Sequence, residues 1–105
     1  MDSHPILRAL HPDEEIHVQA PAGDNIVIVT DRRLAIGSNE RLTLDVSIDN
    51  LRRIQFDIER DRPATLVVVP QQPLDEPQVL AVRPSEYEGV AQALVVIGQR
   101  LAAAS

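Results

Sequence analysis

The chain has no cysteine, no lysine and no tryptophan, and only two aromatic residues, Phe56 and Tyr87. Without cysteine there is no disulfide, no thiol nucleophile and no zinc-thiolate site. With two aromatics the core is left to Leu, Ile, Val and Ala. Nor is there a stacking platform for single-stranded nucleic acid. The ten basic residues are all Arg, and the net charge is −6. That sign opposes nucleic-acid binding, which relies on neutralising phosphates. No run approaches the ~20 apolar residues of a membrane-spanning helix. Met1 to Leu10 carries Asp2 and His4 and lacks an apolar signal core, so the expected location is cytoplasmic.

What is present is a β-rich pattern. The 105 residues suit one domain, and a hydrophobic share of 44% is ordinary for a globular protein. Ile26 to Ile36 reads as two apolar runs joined by the polar turn Asp31-Arg32, a hairpin signature. Upstream, Ile16, Val18 and Ala20 alternate with His17 and Gln19, and Pro21 to Asp24 is a turn cluster. Downstream, Leu42, Leu44, Val46 and Ile48 alternate with Thr43, Asp45, Ser47 and Asp49. Period two with one polar face predicts a half-buried strand. Ile54, Phe56 and Ile58 repeat the pattern against Arg53, Gln55, Asp57 and Glu59. Residues 60–63 predict a turn, Thr65 to Val69 a sixth strand and Val79 to Val82 a seventh. The prolines between them, at 70, 73 and 77, suit a loop.

At Pro84 the period changes. Ser85 to Glu88 fits a capping box, with Ser85 accepting from the Glu88 amide and Glu88 reaching back. Tyr87, Val90, Leu94, Ile97 and Leu101 then recur at helical spacing, which predicts a helix over about 85–103. Gly89 and Gly98 lower its propensity and are expected to permit close packing on a sheet.

Seven short strands followed by one helix is the element order of the pleckstrin-homology (PH) superfold. Three segments resemble bacterial PH-like domains: Leu10 to Ile16 with Glu14-Glu15, Val29 to Leu34, and Val46 to Leu51 followed by Ile54. The resemblance covers nearly the whole chain, although the Trp of many eukaryotic PH helices is missing. It implies a mainly β fold, a seven-stranded antiparallel PH-like barrel or roll closed by one C-terminal α-helix, with residues 1–105 as a single domain. In lipid-binding members a basic pocket lies at the first, third and sixth inter-strand loops. Here those loops, 21–24, 38–42 and 70–77, hold Asp24, Glu40, Asp75 and Glu76 against Arg41 alone. A phosphoinositide head group would be repelled there, so membrane lipid is not the expected partner.

Candidate sites are few. The pairs Arg32-Arg33 and Arg52-Arg53 offer anion or partner contacts; against this stands the commoner role of turn arginines paired to Asp31, Asp49 or Asp57. His4, His11 and His17, near Asp13, Glu14 and Glu15, match no metal motif, so no metal and no cofactor are expected. Ser3, Ser38 and Ser47 sit among polar residues, and no nucleophile elbow or phosphate-cradling loop occurs. Asp57 and Glu59 lie two apart on one strand, a spacing that brings carboxylates to one face, but that face reads as solvent-exposed.

The chain also has an apolar surplus. Strands 25–30 and 65–69 are apolar on both faces, and Val95 and Val96 lie outside the main helical stripe as a candidate apolar interface. The excess is expected under the helix, against residues 1–10, or against another chain. The expected function is therefore a non-catalytic bacterial interaction module. It would bind a protein partner or self-assemble as a homo-oligomer through a strand edge or helix face. The alternative is a peripheral membrane or anionic-ligand binder using the Arg-rich surface; an enzyme is the weakest prospect.

Overall fold

A computed structural model describes residues 14–38, 41–72 and 76–104. Seven strands run β1 (Ile16–Ala22), β2 (Asn25–Thr30), β3 (Arg33–Gly37), β4 (Leu42–Ser47), β5 (Leu51–Glu59), β6 (Arg62–Pro70) and β7 (Gln78–Val82). A 3₁₀ turn, Ile48–Asn50, separates β4 from β5, and another, Pro84–Glu86, leads into helix α1 (Tyr87–Ala104). No helix among the described residues is long and apolar enough to cross a membrane.

Every pairing is antiparallel between consecutive strands, giving a four-stranded sheet β1-β2-β3-β4 and a three-stranded sheet β5-β6-β7. The mainly β class with one C-terminal helix is thus observed. Backbone hydrogen bonds do not close the two sheets into a barrel among the described residues. The sheets face one another across an aliphatic core. Val27, Val29, Leu34 and Ile36 come from the first sheet, Leu66, Val68 and Val82 from the second, and Val90, Ala93 and Ile97 from α1. Each buried Leu, Ile or Val side chain contributes about 1.5–3 kcal/mol, so a single truncation such as Leu66→Ala is felt across both sheets.

Local chemistry sets the boundaries. At the β2–β3 turn the Thr30 hydroxyl accepts from the amides of Arg32 (3.1 Å) and Arg33 (3.0 Å), closing the bend at Asp31-Arg32. At the β1–β2 turn Gly23 has φ +63°, and an added Cβ would lie 3.0 Å from the Ala81 carbonyl oxygen of β7. Only glycine takes that backbone without strain at such close approach. β6 is longer than its apolar run suggests because Arg62 and Pro63 belong to it rather than to the preceding turn. Pro63 is tolerated because the β5–β6 register shifts there, beyond the last regular pair, Asp57 with Thr65.

Two expectations about the helix are corrected. The cap is not Ser85 with Glu88. The Arg83 amide donates to the Glu86 carboxylate at 2.8 Å, and the Glu86 amide donates to the Arg83 carbonyl at 2.8 Å. Pro84 pre-sets the first turn, which makes Arg83 the N-cap of the 3₁₀ segment and leaves Ser85 exposed. The two glycines also differ. A Cβ on Gly89 would meet the Ala20 Cβ of β1 at 3.4 Å, whereas one on Gly98 would meet nothing within 4 Å. Close packing on the sheet explains Gly89 alone.

Candidate functional site

β5 is an edge strand, hydrogen-bonded among the described residues to β6 only. Its regular stretch is short. Arg53, Ile54, Gln55, Phe56 and Asp57 pair in unbroken register with Val69, Val68, Val67, Leu66 and Thr65, and the register shifts on both sides of that stretch. Alternation turns Ile54 and Phe56 inward and Arg53, Gln55 and Asp57 outward. The inward residues are only half-buried, and Ile58, next in the series, is 58% exposed. As an edge strand, β5 has no further strand to cover that side.

Helix α1 packs alongside β5 as well as across β1 and β2. Tyr87, Leu94 and Leu101 recur every seven residues, so they share one stripe of the helix. All three are half-buried against the core, like Ile54 and Phe56. Tyr87 and Phe56 meet edge to face, with ring centroids 5.6 Å apart and planes at 76°. Strand and helix therefore frame an apolar seam beside an open backbone edge. The fold brings together the chain's two aromatics, which lie 31 positions apart in sequence.

The four candidate arginines divide. Arg33 is taken up by a polar cluster. Its Nε donates to Glu14 Oε2 at 3.0 Å, another guanidinium nitrogen pairs with Glu14 Oε1, and NH1 pairs with Asp45 at 2.9 Å. The Thr30 hydroxyl donates to the same Glu14 Oε2 at 2.7 Å. The Glu14 side chain is 0% exposed. Burial pulls the Arg33 pKa down, but Asp45 and Glu14 outweigh it and hold it above the ordinary value. Arg32 is exposed and lies 3.7 Å from Asp31. It lines an open depression of about 470 Å³ with Asp31, Asp49 and Arg100, whose mixed charges favour no one sign of ligand. Arg100 donates to the Asp31 carbonyl. Arg52 and Arg53 line a separate depression of about 300 Å³ with Val69, at the start of β5.

The other candidates separate similarly. Val95 is 52% exposed, whereas Val96 packs partly against the core. The surplus on β2 is partly accounted for within the chain: Ile28 and its β3 partner Ala35 are buried on the face opposite the main core, with Ile26 and Leu42 beside them. The surplus on β6 is not, since Val67 and Val69 are half-buried and neighbouring Val79 is 65% exposed. His17 is exposed on β1, and no metal-holding group of three occurs among the described residues. His4, His11, Ser3 and the expected packing of residues 1–10 lie outside those residues, as do Glu40 and Asp75 of the loop mouth. The described ends of the third and sixth loops do converge, with Arg41 and Glu76 lining one depression.

Asp57 and Glu59 do not form a carboxylate pair. Asp57 accepts from the Gln55 amide at 2.9 Å, Glu59 lies 3.7 Å from Arg62, and the register shift falls between them. The Glu14–Thr30–Arg33–Asp45 cluster was not signalled by the sequence, because its members lie up to 31 positions apart and carry no motif. Compared with protein-family models, curated proteins and solved structures, the chain has no significant match.

Proposed function

We propose that this chain is a non-catalytic interaction module of the bacterial PH-like type, working in the cytoplasm, and that its contact surface is the open edge of β5 together with the α1 seam. The observation that carries this is the edge itself. Along residues 53–57 alternate residues present backbone donors and acceptors away from β6, on a strand whose half-buried Phe56 meets Tyr87 of α1. An added strand would satisfy the edge and cover the seam in one step. Element order supports the PH-like assignment, since seven strands precede a single helix.

An anion-binding role for the arginines has less support. Arg33 is held by two carboxylates, and Arg32 and Arg52-Arg53 line different depressions.

The test is site-specific photo-cross-linking in cells, with a photoreactive residue at Ile58 in one version and at Val79 in another. The proposal expects a discrete protein adduct, to another protein or a second copy, from position 58 and not from 79. It also expects Phe56→Asp to abolish that adduct. Equal adducts from both positions, or none from 58, would overturn it.

A further inference from the structure

We infer that the occupant of the β5 edge is a second copy of this chain, paired antiparallel about a two-fold axis through Gln55. This rests on β5 being the contact edge and adds the identity of the partner.

The regular stretch of β5 reads Arg53-Ile54-Gln55-Phe56-Asp57. In an antiparallel pair about a two-fold axis, each residue faces the one equally far from the centre on the other strand. Centred on Gln55, Arg53 of each copy faces Asp57 of the other, and Ile54 faces Phe56. Facing residues share a side of the sheet. Both charge pairs therefore lie on the outer face and both apolar pairs lie toward the seam. Opposite charges at symmetric positions are one condition under which a strand complements itself.

The other sheet edges do not meet that condition. β4 carries one charged residue, Asp45, and Arg33 already holds it. β1 has no acidic or basic residue apart from His17 and contains Pro21, while β7 carries no charge and lies against β1. On β5 the pairing groups are free to exchange. Among the described residues, exposed Arg53 makes no ion pair and Asp57 is engaged only by Gln55 of its own strand. Residues 53–57 are the stretch of β5 in unbroken register with β6, and Gln55 is at its centre.

The experiment is sedimentation velocity over a dilution series with the full chain, Arg53→Asp, Asp57→Arg, and the double variant. Each single reversal puts like charges opposite one another at both symmetric positions, so self-association should weaken at least about tenfold. The double variant restores both pairs and should dimerise like the parent. Mixing the two single variants should form a heterodimer, because two acidic positions on one copy then face two Arg on the other. That arm holds even if one variant is less stable. A parent chain that stays monomeric at every concentration overturns the two-fold pairing, and so does a mixture that stays monomeric. Neither result touches the wider reading, which the adduct at position 58 decides: an adduct to a different protein would leave β5 as the contact edge with another occupant.

Discussion

The Gly23 amide donates to the Glu86 carboxylate at 3.0 Å, tying the first hairpin to the start of the helix across 63 positions of sequence. The same oxygen accepts from the Arg83 amide at 2.8 Å. These two donors, Gly23 first, hold the Glu86 carboxyl below its ordinary value, against a smaller opposing effect of burial. A depressed carboxylate stabilises the fold fully above its unfolded pKa, and the contribution is lost as pH falls through the folded value. Glu86→Gln should therefore flatten the stability curve below about pH 4.5. At neutral pH it should lower stability by about 1 kcal/mol. Urea unfolding of both proteins across the acid range reads this directly, and parallel curves would contradict it.

Glycine substitutions should sort by what each new Cβ meets. Gly98→Ala, with nothing within 4 Å, should stabilise the helix by about 0.5–1 kcal/mol. Gly23→Ala should destabilise by more than 1 kcal/mol, since it adds a positive φ to a 3.0 Å approach to the Ala81 carbonyl. Thermal unfolding separates them, at about 4–8 °C per kcal/mol for a domain of this size. A destabilised Gly98→Ala protein would mean the helix is held differently.

Arg33 and Glu14 should behave as one unit. Removing the guanidinium takes the Arg33 ion pair from the buried Glu14 carboxylate, so Arg33→Met should cost about 3 kcal/mol. The double variant Glu14→Gln/Arg33→Met should cost clearly less than the two single losses together. Additive losses in a denaturant-unfolding cycle would show that the ion pair carries little.

Ile58 offers a substitution that separates association from folding. It is 58% exposed, so Ile58→Lys should change stability by no more than about 0.5 kcal/mol. Because it extends the apolar side of β5, the same change should weaken association severalfold. Unfolding and sedimentation on one sample give both values, and an unchanged association constant would remove Ile58 from the contact.

The strands were legible because period-two alternation reports burial on one face. Leu44 and Val46 are buried while Thr43, Asp45 and Ser47 are exposed, as their spacing predicts. The α1 stripe of Val90 and Ile97 was legible for the same reason at period 3.6. The start of the helix is not legible locally because two nearby acidic residues can serve one cap, and the choice of Glu86 over Glu88 depends on Gly23 arriving from the first hairpin. β5 shows the other kind of limit. Alternation marks Ile54, Phe56 and Ile58 alike, but their burial declines along the strand. The exposed Ile58 falls where the β5–β6 register shifts, between Asp57 and Glu59, a pairing irregularity that no local pattern carries.

The central claim is that the β5 edge is where this chain pairs with a second copy of itself. Amide hydrogen exchange at residues 53–57 tests it most directly, measured in dilute and in concentrated protein with the β4 edge, Leu42–Ser47, as the internal control. The account predicts that β5 amides facing away from β6 gain protection with concentration while β4 does not. Exchange on β5 that is independent of concentration, or protection that appears on β4 instead, would contradict it.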